Sequence, residues 1–198
     1  MSHRFLTILM IIPYKIILAS HSPRRQELLR GLDVSFEVKV KEGIPEDYPA
    51  DLDTVEIPKF IAQKKAAAYE MTQDELLITA DTVVVLGRHV MGKPVDADHA
   101  RRMLRKLSGK THQVVTGVCL KTASEQRAFS VVTNVTFKEL SDAEIDYYVE
   151  KYQPFDKAGA YGIQEWIGYI GVTKLEGSYF NVMGLPVQRI YEELNKMK

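Results

Sequence analysis

One cysteine in 198 residues leaves no partner for an internal disulfide, so the fold must rest on burial. Cys119 lies in an apolar run and reads as a core residue of a protein kept reduced, for which a cytoplasmic location is expected. Net charge is also lacking, since 26 Lys and Arg balance 26 Asp and Glu. A neutral chain offers no global field to nucleic acid or to an anionic membrane, and neither is expected as a partner. Any anionic ligand must therefore be held by a specific site. No apolar run approaches the roughly 20 residues that span a bilayer, and no repeat, low-complexity tract or long linker breaks the chain. The 12 Gly and 8 Pro are too few for a collagen-like or low-complexity chain. One compact core, folded in one or two lobes, is the expectation at this length.

The N-terminus carries Arg4 ahead of an apolar stretch over residues 5–12, with Leu18, Ala19 and Ser20 beyond it, which is one form of a signal peptide. Against that reading, Pro13, Tyr14 and Lys15 interrupt the run, and cleavage would remove a strand that the next segment needs. An N-terminal extension over residues 1–14, with Met10 as an alternative start, followed by a single domain over 15–198, is the expectation.

Helical and strand-like patterns alternate, which predicts an α/β fold. Residues 16–19 form a short apolar strand, and Ser22 and Pro23 take the N-cap and first positions of a helix that stops near Gly31. Val34, Phe36, Val38 and Val40 alternate as a half-buried strand. A helix starts near Pro58 and carries Phe60, Ile61, Ala67, Ala68 and Met71 at helical spacing. Residues 76–86 read as a central strand buried on both faces. After a turn at Gly87 comes a helix with Ala100, Met103, Leu104 and Leu107 on one face, ending at Gly109. Residues 114–120 and 130–137 are antiparallel strands, and Ser141 with Glu144 forms a capping box. Beyond Pro154 glycine is frequent up to Gly184, predicting loops and short strands, and Pro186 opens a last helix.

Three segments could carry chemistry. Ser20-His21-Ser22-Pro23-Arg24-Arg25 lies where a strand meets a helix N-terminus, where free N–H groups and the helix dipole favour an anion. Two arginines in that first turn oppose the dipole, so either a bound phosphate compensates for them or the turn is simply solvated. Asp81 is the only charge in its apolar run, so it must lie at a strand end, pair with a cation or face a cleft. Lys93, in Gly92-Lys93-Pro94, is that partner, a second anion ligand, or an exposed hairpin-tip lysine. Lys64 and Lys65 read as the wet face of the Pro58 helix. The third segment, residues 156–164, places small residues around Tyr161 and ends at Gln164, whose amide both donates and accepts, an arrangement suited to a nucleobase. Gly177-Ser178-Tyr179 and residues 181–186 punctuate a further turn-rich stretch. Gly109-Lys110-Thr111 mimics the end of a P-loop, but Leu104 stands where its first glycine is required. The Asp81-Thr82-Val83 run lacks the second aspartate of dehalogenase-type phosphatases. The five histidines have no metal spacing, and no serine nucleophile elbow is present.

At these residues the chain resembles the Maf family of nucleoside triphosphate pyrophosphatases. The resemblance rests on Ala19-Ser20-x-Ser22-Pro23-Arg24-Arg25, Ala80-Asp81-Thr82-Val83-Val84, Gly92-Lys93-Pro94, Leu107-Ser108-Gly109-Lys110-Thr111-His112, residues 157–164 and residues 177–186, all in the family's order. It implies an elongated, two-lobed α/β fold with a twisted mixed sheet and a central cleft, like that of inosine triphosphate pyrophosphatases. It also implies hydrolysis of a nucleoside triphosphate to monophosphate and pyrophosphate with a divalent cation, Mg²⁺ or Mn²⁺. The dTTP/UTP branch has an arginine, a threonine and a glutamine at its base-specificity positions, which fall on Arg24, Thr82 and Gln164. Asp81 matches the catalytic acid that takes a proton from the attacking water. Lys65 and Lys93 match lysines of the triphosphate cleft, joined in phosphate binding by Ser20, Ser22 and Arg25. Glu46 matches a cleft acid that helps hold metal, with Asp81 a second candidate ligand, although residues 41–55, with Pro45 and Pro49, depart most from the family pattern. A homodimer is a further family expectation. The rival readings are a nucleotide-sensing or division-associated binding protein, and a pyrophosphatase of the same family for another base.

Overall fold

The computed structural model describes residues 12–197. Most of the expected N-terminal extension, including Met10, lies outside the described residues. Seven strands form one mixed sheet: β1 (Lys15–Leu18), β2 (Phe36–Val38), β3 (Glu75–Leu86), β4 (His89–Met91), β5 (Thr111–Lys121), β6 (Gln126–Phe137) and β7 (Val172–Glu176). Their order is β2-β1-β3-β5-β6-β7, with β4 also paired to β3. β1 lies parallel to β2 and β3, and every other pairing is antiparallel. The helices are α1 (Pro23–Arg30), α2 (Ile57–Ala67), α3 (Ala97–Leu107), α4 (Asp142–Tyr152), α5 (Trp166–Gly171), α6 (Tyr179–Met183) and α7 (Val187–Leu194).

The long strands β3, β5 and β6 explain the two lobes. Ile78 and Ala80 of β3 and Val118 and Leu120 of β5 pack with α1 and α7 through Leu28, Leu29, Ile190 and Leu194. Further along the same strands, Val84 and Val114 join a second cluster built on Leu104 of α3, Tyr148 of α4 and Ile167 of α5. Asp81 and Thr82 thus fall at the waist between two cores. Because strand side chains alternate, the odd-numbered residues of β3 face away from both clusters and meet α2. Leu77 packs there with Ala62 and Ala66, and Val83 and Val85 pack with Ile61.

Local signals are realised where they are strongest. Ser141 Oγ accepts from Glu144 N and Glu144 Oε2 accepts from Ser141 N, closing the capping box. Cys119 is fully buried, and burial pushes its thiol up to about 12, so it is an inert core residue. Three expectations need correction. The strand over 34–40 shrinks to Phe36–Val38, because β2 is an edge strand supported only by β1. α2 stops at Ala67, leaving Met71 beyond it. The glycine-rich stretch contains the helices α5 and α6 besides its strand and loops. Gly168 sits inside α5 because a Cβ there would lie 1.8 Å from Ile163 O, so this glycine marks close approach rather than a turn.

His112 is buried between Phe137 and Tyr161, and its Nε2 lies 2.7 Å from Tyr161 Oη. Burial lowers its pKa from 6.5 to about 4. The unfolded chain therefore takes up this proton below about 6.5 while the folded chain refuses it until about 4, so stability falls as pH drops through that window. Between pH 7 and pH 5 the wild type should lose roughly 2 kcal/mol more unfolding free energy than a His112→Gln variant. Urea midpoints of the two proteins at both pH values measure this difference, and equal losses would show that His112 is not held neutral.

Candidate functional site

The site is an interruption in the edge of the sheet. β1 stays paired with β3 only as far as Leu18 and Ile78, and Ala19 N–H makes a last bond to Ile78 O at 2.9 Å before the chain turns into α1. β4 resumes pairing on β3 at Val84. Residues 79–83 of β3 are thus bonded to β5 on one side and open on the other. Asp81 and Thr82 point to opposite faces of the sheet, yet both line the same cavity because it reaches across this open edge. The cavity measures about 480 Å³ and continues into a second of about 450 Å³ that shares Ser22, Lys65 and Lys93 with it. Ligands of open α/β sheets bind at such positions, beyond the carboxyl end of a parallel strand.

α1 borders the gap. Ser22 caps it, its Oγ accepting from Arg25 N at 3.4 Å, with Pro23 in the first turn. Ser20 lines the second cavity and accepts from Ser22 N at 3.2 Å. Arg25 fills part of the missing edge: its Nη1 donates to Ala80 O at 3.0 Å, Nε to Gly184 O at 2.8 Å and Nη2 to Thr82 Oγ1 at 3.0 Å. It makes no carboxylate ion pair among the described residues. Burial lowers its pKa, with Asp81 acting in the opposite sense. Arg24 turns the other way and meets Asp156 Oδ2 at 2.7 Å. The two arginines that oppose the helix dipole are thereby held by groups from other elements of the protein.

Asp81 lies in mid-strand rather than at a strand end, and its cation is Lys65. Lys65 Nζ stands 2.9 Å from Asp81 Oδ1 and 2.7 Å from Glu46 Oε1. The wet-face reading of α2 therefore holds for Lys64, which reaches exposed Asp47, and fails for Lys65, which is 17% exposed. Burial tends to raise the pKa of Glu46, but Lys65, Lys93 and Arg25 outweigh it and keep the carboxyl below its usual range. Lys93 lines both cavities and makes no ion pair among the described residues, so its charge is available to a ligand.

Thr82 belongs to a directional chain. Thr116 Oγ1 donates to Asn181 O at 3.1 Å, which uses its one hydrogen. In the 2.9 Å contact between Thr82 and Thr116 the donor is then Thr82. Since Thr82 also accepts from Arg25, only a lone pair remains for the cavity. Gln164 lines the same cavity, and its Oε1 is buried without a hydrogen-bond partner. A buried amide oxygen left unpaired is costly and calls for an N–H donor. The P-loop mimic takes no part: Gly109 ends α3 with φ of 67°, and Thr111 pairs with Thr136.

No group of three or more His, Cys, Asp or Glu gathers at metal-binding distance among the described residues. Glu46 and Asp81, brought together on Lys65, nonetheless form a hard-oxygen pair. This fits Mg²⁺, which takes one or two carboxylates and completes its shell with phosphate oxygens and water. Sequence reasoning assigned no role to Lys157, which is buried beside the cavity between Asp156 and Glu165.

The pattern of the family described as Maf-like protein matches residues 15–197. The chain is 66% identical over 186 residues to the dTTP/UTP pyrophosphatase of Phocaeicola vulgatus, covering 93% of this chain and 96% of that protein. It is 60% identical over 185 residues to the protein of the same name from Porphyromonas gingivalis, covering 91% and 93%. Among solved structures, the Ham1 protein of Staphylococcus aureus aligns with a TM-score of 0.52 at 14% identity, over 93% of this chain and all of that one. At that identity the likeness bears on the fold, and it agrees with the α/β architecture described above.

Proposed function

Since the chain belongs to the Maf-like protein family, we propose that it is a nucleoside triphosphate pyrophosphatase that hydrolyses dTTP and UTP to the monophosphate and pyrophosphate. This reading is carried by the position of Asp81, a carboxylate held in mid-strand at an open sheet edge, between Lys65 and the N-terminus of α1. The triphosphate lies across that N-terminus, with Lys93, Lys65 and Arg25 opposing its charge and Ser20 and Ser22 offering hydroxyl contacts. Lys65 grips Asp81 by Oδ1. Oδ2 makes no hydrogen bond among the described residues and is left to orient a water and take its proton as that water attacks the α-phosphorus. Glu46 and Asp81 would hold the divalent cation, which supplies charge neutralisation at the phosphoryl oxygens when bound. The base lies against Tyr161 and Gln164, where an N3–H beside a carbonyl, as in uracil and thymine, matches both ends of the Gln164 amide.

Incubation of UTP or dTTP with the protein and Mg²⁺, in an assay free of inorganic pyrophosphatase, should release monophosphate and pyrophosphate in equal amounts, and omission of the cation should stop turnover. Orthophosphate as the first product would overturn the reading in favour of an ordinary phosphatase. Tight nucleotide binding without turnover would favour the sensing protein instead.

A further inference from the structure

Arg24 and Gln164 sit on different elements, yet a chain of ion pairs runs from Arg24 to Glu165, the neighbour of Gln164. Arg24 Nη1 is 2.7 Å from Asp156 Oδ2. Asp156 Oδ1 is 2.7 Å from Lys157 Nζ, which also stands 3.1 Å from Glu165 Oε1. The other oxygen of Glu165 accepts from the Tyr148 hydroxyl of α4, and that hydroxyl accepts from Gly162 N at 3.0 Å. Lys157 therefore grips both ends of the segment from Asp156 to Glu165, while Tyr148 anchors its middle. Gly159 N–H bonds Gly92 O at 3.1 Å, tying the same segment to the turn that carries Lys93.

Two features set this arrangement apart from an ordinary surface ion pair. The Lys157 side chain is only 9% exposed, so its ammonium cannot trade these carboxylates for water. Burial works to raise the pKa of Asp156, yet Lys157 and Arg24 hold it down to about 2, so the carboxyl stays charged throughout the working range. The Gln164 side chain, by contrast, makes no hydrogen bond among the described residues, and its Oε1 is buried unpaired. With no side-chain partner, its amide follows the course of the backbone, which is tied one residue on where Glu165 N–H bonds Gly162 O at 3.0 Å.

We propose that Lys157 is a positioning residue for base selection: by clamping Asp156 and Glu165 it holds Arg24 and Gln164 in one frame. This deepens the dTTP/UTP reading and rests on it. Loss of the ammonium would leave two carboxylates repelling each other across the segment and would free Gln164 to meet other bases.

The test compares kcat/KM for UTP and CTP. The wild type should prefer UTP, and absence of any preference would overturn the dTTP/UTP reading and this proposal with it. Given that preference, Lys157→Met should reduce the UTP-to-CTP ratio at least tenfold, chiefly through KM for UTP, and Lys157→Arg should recover part of it. In a Gln164→Ala background, Lys157→Met should leave the ratio within twofold, because the residue through which it acts is gone. A folded Lys157→Met protein with the wild-type ratio would overturn the clamp alone, as would the same loss with Gln164 absent. If Lys157→Met does not fold, Asp156→Asn replaces it: a ratio lowered severalfold supports the clamp, and an unchanged ratio overturns it.

Discussion

Asp81→Asn should lower kcat for UTP and dTTP by roughly 10²-fold or more while nucleotide binding survives. The substitution keeps size, and the amide oxygen can still accept from Lys65, so the 2.9 Å contact that seats α2 against β3 has a replacement. What disappears is the acceptor for the water's proton and one negative charge facing the phosphates. Relief of that repulsion should leave affinity equal or tighter. Single-turnover kinetics and calorimetric titration with UTP in Mg²⁺ separate the two quantities. A folded Asp81→Asn enzyme turning over at the wild-type rate would remove Asp81 from the chemistry.

The largest effect on stability is expected at Gly117. This residue lies directly across from Asp81 on β5, and the N-terminal turn of α2 rests on it. A Cβ there would fall 2.1 Å from Lys59 N, 2.2 Å from Pro58 C and 2.4 Å from Lys59 Cα, all backbone atoms that no rotamer change can move. Gly117→Ala should therefore destabilise the protein by about 3 kcal/mol or more, lowering Tm by roughly 6–12 °C for a chain of this size. Because α2 carries Lys65, the lifted helix should also weaken catalysis. Gly92→Ala is the control: a Cβ there meets nothing within 4 Å, and its change should stay within about 0.5 kcal/mol. Thermal melts of both variants decide the matter, and equal Tm values would show that α2 is not seated on β5 in this way.

The fold was legible wherever a local pattern settled the outcome. The apolar run around Asp81, the Ser22-Pro23 start of α1 and the Ser141–Glu144 box all stand as read, because caps and periodicity act within a turn or two of chain. Lys65 shows where such reading stops. Its place on α2 says nothing about the open edge of β3, which exists because β1 ends at Leu18 and β4 begins pairing only at Val84. The resemblance, not the helix pattern, put Lys65 in the cleft. The resemblance implies phosphate binding by Arg25, but its bonds to Ala80 O and Gly184 O depend on segments far apart in sequence. Lys157 is silent in the sequence for the same reason: its two carboxylates are visible there, but their convergence on one buried ammonium is not. The helices α5 and α6 were hidden because glycine is a turn signal locally, whereas Gly168 answers to the approach of Ile163 O.

The cations that line the cleft also decide how a ligand reaches it. Arg24, Arg25, Lys65, Lys93 and Lys157 outnumber the three lining carboxylates, Glu46, Asp81 and Asp156. In a chain whose charges sum to zero, the excess of two at this opening is offset by an equal acidic excess elsewhere in the chain. An anion that reaches this opening therefore meets more positive than negative charge. A nucleotide near the opening is turned phosphates first before any contact forms. With a screening length of about 8 Å at physiological ionic strength, this orientation acts only over the last stretch of approach. Attraction confined to one opening suits a small, highly charged solute that can enter it, because only there do its charges meet the lining cations at short range.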